Sequence, residues 1–189
     1  MIAEIRVDDD ILLRWPTMGD AEELFALIDS NRAYMNRWVP WVNGIRTVDD
    51  ECRWVEGELK ERDEGISVPS LIIYQGTLVG SIGATFDPLR KSCDVGYFLA
   101  EDIQGRGILT RACRVLLAFL FDNLGMNRVQ VRIMPHNVRS IAIPERLGFV
   151  YEGIQRQAQL LNGEFHDFSV YSMLASEWAT AKSPRGSLG

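Results

Sequence analysis

The sequence predicts a single α/β domain whose central sheet is mixed, with about six to seven mostly antiparallel strands and about four flanking helices. The chain has 189 residues, 47% of them hydrophobic, which suits one domain with a sizeable core. Residues 67–100 form three strand-like runs with short turns between them, the pattern of an antiparallel meander. The apolar run of residues 108–124 then leads to a strand at 128–134, and this strand–helix–strand order implies a parallel crossover.

Two helices are expected before the meander, after a short buried strand at residues 11–15. Each begins at a threonine with an aspartate three residues later, which is the capping-box spacing. The two pairs are Thr17 with Asp20 and Thr47 with Asp50. The first helix should end near residues 30–33, and the second should span about 48–63. Pro69, in the first meander strand, requires a sheet edge or a bulge.

The chain after the apolar helix supplies one more helix, two closing strands and a tail. These are a helix capped by Asn137 and ending at Gly148, strands at residues 149–153 and 166–174, and a Gly/Pro-rich stretch at 180–189. We therefore predict a domain over residues 1–179 and a flexible tail over residues 180–189.

The net charge of −6 argues against a nucleic-acid partner, because binding to a phosphate backbone requires a basic surface. The three cysteines (Cys52, Cys93, Cys113) and two histidines match no metal-ligand spacing, so no metal site is expected. The sequence has no secretion signal and no run of eighteen apolar residues. We predict a cytoplasmic protein that does not bind membranes.

A glycine-rich turn between the third meander strand and the apolar helix is the first candidate binding site. It consists of Gln104, Gly105, Arg106, Gly107, Ile108, Leu109 and Thr110. The N–H groups at a helix start bind anions, phosphate above all. The turn lacks the third glycine of a dinucleotide-binding fingerprint and the Gly-Lys-Ser/Thr of a Walker A loop. By itself it would favour a plain strand-to-helix turn.

Together with three later motifs, the turn resembles motif A of the Gcn5-related N-acetyltransferase (GNAT) superfamily. Gln104 and Gly107 match the first and fourth positions of Gln/Arg-x-x-Gly-x-Gly/Ala, while Leu109 departs from the small last residue. The later motifs are Asn137-Val138-Arg139-Ser140, Leu147-Gly148-Phe149 and Asn162-Gly163-Glu164-Phe165-His166-Asp167. The last of these is similar to an element of the Rim-type ribosomal-protein N-acetyltransferases. The resemblance covers residues 11–178.

This resemblance implies acetyl-CoA as the cofactor, with its pyrophosphate held by the turn of residues 104–110. Arg106 would add a charged contact, although a solvent-facing arginine is an equal interpretation. The strand ending at Ala100 should part from the strand at 128–134, and the pantetheine arm should then pair with the freed edge near Phe98, Leu99 and Ala100. A backbone N–H there, assigned to Leu99, would polarise the thioester carbonyl.

Asn137 and Ser140 could simply cap the helix that follows. The resemblance instead implies that Asn137 contacts the cofactor arm and that Ser140 stabilises or protonates the leaving thiolate, and we favour this interpretation. Transfer should be direct, without an acyl-enzyme, and Cys113 is not expected to act as a nucleophile because it lies inside the apolar helix.

The acceptor side is less defined by the sequence. Trp38 and Trp41 could cap the core, which we favour for Trp41, or form the aromatic wall of an acceptor pocket. Both are retained as candidate substrate-binding residues, together with Gln159 and His166.

The general base is open, because Pro144 stands where many GNAT enzymes have a tyrosine and Gln159 stands where some Rim-type enzymes have a glutamate. The candidates are Asp94, Glu101, His136, Asp167 or a chain of waters.

The function predicted is N-acetylation of an amine, with the N-terminal α-amino group of a protein as the favoured partner. The alternatives are a small-molecule amine (a polyamine, an aminoglycoside or an amino acid) and a catalytically weak module that binds acetyl-CoA. The resemblance also suggests a homodimer.

Overall fold

The computed structural model describes residues 4–182, and these residues form one mixed sheet of eight strands with five α-helices. The sheet order is β1-β2-β3-β4-β5-β6-β8-β7. The strands are β1 (Glu4–Arg6), β2 (Ile11–Arg14), β3 (Ser67–Tyr74), β4 (Thr77–Asp87), β5 (Ser92–Leu99), β6 (Arg128–Ile133), β7 (Val150–Leu161) and β8 (Glu164–Leu174). The helices are α1 (Ala21–Met35), α2 (Val48–Asp63), α3 (Ile108–Ala118), α4 (Val138–Leu147) and α5 (Ala175–Lys182). The predicted α/β class with a mixed sheet is confirmed.

The core lies on both faces of the sheet, because neighbouring residues of a strand point to opposite faces. On β3, Leu71 belongs to the apolar cluster under α1 and α2, and Ile72 belongs to the cluster under α3. Leu78 and Val79 on β4 divide in the same way. The α1–α2 pair therefore covers one face and α3 covers the other.

The predicted capping boxes are present. The Asp50 carboxylate accepts hydrogen bonds from the Thr47 N–H and hydroxyl at 2.9 Å each. The Asp20 carboxylate accepts from the Thr17 N–H at 2.7 Å, and a short 3-10 turn (Met18–Asp20) precedes α1. Helix α1 extends to Met35, beyond its predicted end.

The sheet opens in its middle. Strands β5 and β6 pair in parallel over residues 92–94 and 128–130 only, and their remaining residues are not paired with each other. Strand β6 pairs on its other side with β8 along its whole length. The expected parting of these two strands is confirmed, and it begins directly after Asp94.

The end of the chain differs most from expectation. Strands β7 and β8 extend to a two-residue turn at Asn162-Gly163, whose φ angles are 52° and 87°. An Asn-Gly pair in this conformation is typical of a tight β-hairpin, so residues 154–165, which lay outside both predicted strands, belong to a long hairpin. The hairpin lengthens two predicted strands, and the unpredicted β1 makes the count eight in place of six to seven.

Two helices also differ from expectation. The predicted helix over residues 108–124 becomes π-helical at Phe119–Asn123. Helix α5 was not predicted and includes residues 180–182 of the proposed tail, while residues 183–189 lie outside the described part of the chain. Between residues 4 and 182, no helix is long and apolar enough to cross a membrane.

Candidate functional site

A cleft of about 1200 Å³ lies where β5 and β6 part. One end is lined by the turn of residues 104–110 and by the first turns of α4. The other end is lined by α2, by the start of β3 and by the segment that follows α1. Residues Phe98 and Leu99 of β5 line the cleft between the two ends. We call these regions the donor end and the acceptor end, after the roles that the resemblance implies for them.

Backbone conformation builds the donor end. Gly105 and Gly107 have φ angles of +80° and +72°, and Gly107 caps α3. L-residues rarely adopt such angles, so the glycines allow the chain to turn sharply into the helix. The first N–H groups of α3 have no partner within the helix and are oriented to bind an anion. Every residue of the predicted turn lines the cleft except Arg106, which is exposed.

Two arginines that sequence reasoning missed also line the donor end. Arg139 donates a 3.0 Å hydrogen bond to the Gln104 side chain, whose amide in turn donates to the Leu99 carbonyl at 3.3 Å. Arg146 lies two helical turns after Arg139 and lines the same end. Their seven-residue spacing on α4 was the available signal, since it puts two cations on one helix face. This end therefore joins a helix start to positive side chains, which suits phosphate.

The edge of β5 is available for pairing. The Ala100 N–H donates to the Val79 carbonyl at 2.8 Å. Since hydrogen bonding alternates along an antiparallel pair, the Leu99 N–H points away from β4 and into the cleft. Ala100 itself is buried and does not line the cleft, so it is not placed to contact the cofactor arm as predicted. Its hydrogen bond to Val79 instead sets the direction of the Leu99 N–H.

Glycine at position 80 allows β5 to lie this close to β4. A Cβ atom at Gly80 would lie 2.3 Å from the Phe98 carbonyl oxygen, a distance that real side chains do not tolerate. Gly80 therefore positions the β5 edge beside the cleft.

Asn137 and Ser140 both line the cleft and also shape the start of α4. The Asn137 side-chain oxygen accepts a 3.3 Å hydrogen bond from the Ser140 N–H, so Asn137 caps the helix. The Ser140 carbonyl accepts a 3.0 Å hydrogen bond from the Tyr97 hydroxyl of β5. Burial raises the pKa of Tyr97 well above its usual value, so this hydroxyl remains a donor. Asn137 and Ser140 therefore shape the start of α4 and line the cleft at the same time.

Aromatic rings form the wall of the acceptor end. Trp41 keeps 37% of its surface exposed, so it does not cap the core as favoured from the sequence. Its ring centroid lies 6.4 Å from that of Trp54 and 5.8 Å from that of Phe98. Trp38 lines the same end. Trp54 was missed because the helix at residues 48–63 carries many charged side chains, which are typical of a solvated face.

Gln159 and His166 do not line the cleft. They are paired with each other in the β7–β8 hairpin, and the Gln159 amide donates to the Leu160 carbonyl at 2.8 Å.

The hairpin nevertheless reaches the acceptor end through its tip. The side-chain N–H of Asn162 donates to the Asn36 carbonyl at 3.0 Å. The side-chain oxygen of Asn162 accepts a hydrogen bond from the Asn43 side chain, also at 3.0 Å. Asn36 and Asn43 flank the Trp38–Trp41 segment, so the tip fastens the acceptor wall.

The structure places two of the four candidate base residues, Asp94 and Glu101, at the cleft. Asp94 lines the cleft but accepts hydrogen bonds from Gln130 at 2.8 Å and Arg132 at 3.0 Å. Glu101 lines the cleft and is exposed. His136 and Asp167 do not line it.

One further carboxylate, missed in the sequence, lines the acceptor end. Glu58 of α2 is half-buried there, and burial, followed by the charge of Glu61, raises its pKa above the usual value.

None of the three cysteines, all of which are described, lines the cleft. Burial raises the pKa of Cys93 to about 12 and that of Cys113 further, so both are inert thiols. Within residues 4–182, no three His, Cys, Asp or Glu side chains are grouped so that they could hold a metal ion.

Known proteins match this architecture over nearly the whole chain. Residues 10–150 match the acetyltransferase (GNAT) domain family. The putative ribosomal N-acetyltransferase YdaF of Bacillus subtilis is 31% identical over 94% of this chain and 98% of its own length. The ribosomal-protein-serine acetyltransferase of Escherichia coli is 25% identical over 92% and 98%.

Among solved structures, the microcin C7 self-immunity acetyltransferase MccE, in complex with acetyl-CoA and AMP, superposes with a TM-score of 0.89. It is 27% identical to this chain and covers 92% of it, and 97% of the MccE chain is covered in turn.

Proposed function

Because this chain belongs to the GNAT family of acetyltransferases, whose donor is acetyl-CoA, we propose that it acetylates the N-terminal α-amino group of a protein. The observation that carries the proposal is the continuous cleft, which joins the helix start and the free β5 edge to an aromatic acceptor end. The names of the relatives from B. subtilis and E. coli, which match over nearly the full chain, support a ribosomal protein as the acceptor.

The residues of the donor end fit acetyl-CoA. The N–H groups at the start of α3, with Arg139 and Arg146, would hold its phosphates. The β5 edge would pair with the amides of its pantetheine arm, and the thioester supplies an activated acetyl group. The Leu99 N–H would polarise the acetyl carbonyl. Asn137 would contact the arm, and the Ser140 hydroxyl would give a proton to the departing sulfur.

The proposal includes direct transfer from the thioester to the amine. The buried thiols cannot reach the cleft, which supports a reaction without an acyl-enzyme. A terminal α-amino group has a pKa of about 8, against about 10.4 for lysine. An α-amine therefore needs less help to lose its proton, which suits a chain that lacks the family's tyrosine and glutamate at positions 144 and 159.

A small-molecule amine is the second candidate acceptor. Trp41 and Trp54 lie nearly parallel, with 18° between their planes, and Trp41 is exposed to the cleft. Such a wall suits a planar ring, and the MccE structure is a complex with acetyl-CoA and AMP. The aromatic wall alone favours this class, whereas the named full-length relatives favour a protein.

The acceptor panel is the decisive experiment. Purified protein and acetyl-CoA are incubated with ribosomal proteins bearing free N-termini, their N-acetylated forms, polyamines, aminoglycosides and aminoacyl nucleotides, and thiol release is measured. We expect turnover with a protein N-terminus and none with its blocked form. Turnover with small amines only would show that the acceptor is a small molecule and not a protein. Acetyl-CoA binding without any turnover would instead favour the catalytically weak binding module.

The homodimer and the cytoplasmic location remain predictions. Light scattering of the purified protein tests the first, since a monomeric mass would contradict it.

A further inference from the structure

The acceptor end contains one carboxylate that no hydrogen bond or ion pair engages among the described residues. We propose that Glu58 binds the ammonium group of the acceptor and takes the proton that the amine must lose. This inference deepens the proposed function and rests on it. It identifies the missing base as a residue of α2, far in sequence from both family positions that lack one.

The position of Glu58 follows from its place on α2 and from two ring contacts in the cleft. Trp54 and Glu58 are four residues apart on α2, so they lie on the same helix face. Trp54 lies against Trp41, and Trp41 lies against Phe98 of the free β5 edge. Glu58 and Phe98 line the same cleft. The Glu58 carboxylate and the free edge of β5 therefore lie along the same wall of aromatic rings.

Aromatic rings and a carboxylate together suit a cation. Ring faces attract an ammonium group through their negative potential, and a carboxylate adds a charge-assisted hydrogen bond. The competing acids at this cleft are less suitable. Asp94 is held by Arg132 and Gln130, and Glu101 is exposed to solvent.

Two other polar groups at this end support a ligand site. Ser67 is only 4% exposed, and neither its hydroxyl nor the buried indole N–H of Trp38 has a hydrogen-bond partner in the described structure. Both residues line the same cleft as Glu58. Buried polar groups are rarely left unpaired, so these two can bind the polar atoms that follow the acceptor amine.

The charged groups around Glu58 leave its carboxylate unpaired. Strand β3, which packs against α2, carries no charged residue. The neighbouring charges are engaged with one another: Asp20 with Arg14, Arg32 with Asp29, Arg62 with Asp63, and Lys60 with Glu64. Glu61 is the nearby acid whose charge acts on Glu58. Glu22 and Glu23, on the first turn of α1, are exposed.

The proton balance of the transfer is simple. The acceptor ammonium gives one proton to the Glu58 carboxylate and becomes a neutral amine. The amine nitrogen then forms a bond to the acetyl carbon as the carbon–sulfur bond breaks. The Ser140 hydroxyl gives its proton to the departing sulfur, which leaves as a thiol, and takes the second proton of the nitrogen in return. Glu58 returns its proton to solvent.

The test compares Glu58→Gln with Glu56→Gln, since Glu56 is exposed on the same helix and does not line the cleft. With the acceptor found in the panel, we expect Glu58→Gln to lower kcat/KM about 100-fold at pH 7. The deficit should shrink above the acceptor's own pKa, about 8 for an α-amine, because the free amine is then abundant. Glu56→Gln should match the wild type, and the Kd for acetyl-CoA should be unchanged in both variants.

A binding measurement covers the case of no turnover. A short peptide amide with an N-terminal serine is titrated against the protein at pH 7, and the tryptophan fluorescence is followed. We expect about tenfold weaker binding to Glu58→Gln and none of this difference for the N-acetylated peptide. Turnover and binding that are unaffected by Glu58→Gln would overturn the role of Glu58 and leave the proposed function intact. Glu58-dependent binding without any turnover would overturn the proposed function instead.

Discussion

The Tyr97 hydroxyl donates a 3.0 Å hydrogen bond to the carbonyl oxygen of Ser140. In a regular helix that carbonyl would accept from the N–H four residues later, but position 144 is proline and has none. Tyr97 therefore replaces a missing helix hydrogen bond. The contact also ties α4, which carries Ser140, to the strand whose edge faces the cleft.

Replacing Tyr97 with phenylalanine should leave the Ser140 carbonyl without a partner. We expect a loss of about 1–3 kcal/mol in the free energy of unfolding, measured by urea denaturation, together with slower turnover. The control is Tyr151→Phe, whose ring is half exposed, and its effect should stay within about 0.5 kcal/mol. If Tyr97→Phe is as stable and as active as Tyr151→Phe, the hydrogen bond does not position Ser140.

Ser140→Ala should impair the chemical step more than binding. A group that gives a proton to the leaving sulfur contributes to the transition state, and its loss should lower kcat about 100-fold. The Kd for acetyl-CoA, measured by calorimetry, should change less than about twofold. Unchanged turnover would remove Ser140 from the mechanism.

Gly107→Leu should weaken acetyl-CoA binding about tenfold or more, because a side chain at a φ of +72° strains the start of α3. Gly76→Leu is the matched control. Its φ is +83°, so the backbone strain is similar, but it lies in the β3–β4 turn, away from the cleft. Both variants should lose about 1–2 kcal/mol of stability, and only Gly107→Leu should lose affinity. Equal affinity in the two variants would place the phosphate site elsewhere.

Glu51 should make the stability of the protein depend on pH. Its side chain is fully buried without a hydrogen-bond partner in the described chain, and burial raises its pKa from 4.5 to about 7. The folded state then holds the proton more tightly than the unfolded state. The contribution of Glu51 to stability is therefore most favourable below pH 4.5, falls as the pH rises towards 7, and stays low above it.

Glu51→Gln removes this ionisation. We expect it to raise the free energy of unfolding by about 2 kcal/mol at pH 8 relative to the wild type, and to have a much smaller effect at pH 5. Urea denaturation at the two pH values measures both differences. A difference that is the same at pH 5 and pH 8 would show that folding does not raise the pKa of Glu51.

Local sequence signals predicted most of the helices and strands. The threonine–aspartate pairs located α1 and α2, and the turn residues of the meander located β3, β4 and β5. Strand β1 was missed because three residues are too few to show a period. The β7–β8 hairpin was cut short because its outer strand is exposed on both faces and carries no alternating pattern.

The donor end could be predicted because its chemistry is local. A glycine turn at a helix start and an Asn-x-x-Ser helix cap are each contiguous in the sequence, so their backbone geometry follows from the residues themselves. The sequence alone therefore determined the family, the donor and the turn of residues 104–110.

Only the tertiary structure decided the acceptor end. Packing of α2 against β3 brings Trp54 and Glu58 to the cleft, and a hydrogen bond across 119 positions joins Asn43 to Asn162. Gln159 and His166 do not line the cleft and pair with each other in the β7–β8 hairpin instead. The physical reason is that contacts between distant segments depend on how whole elements pack, and no short run of residues encodes that arrangement.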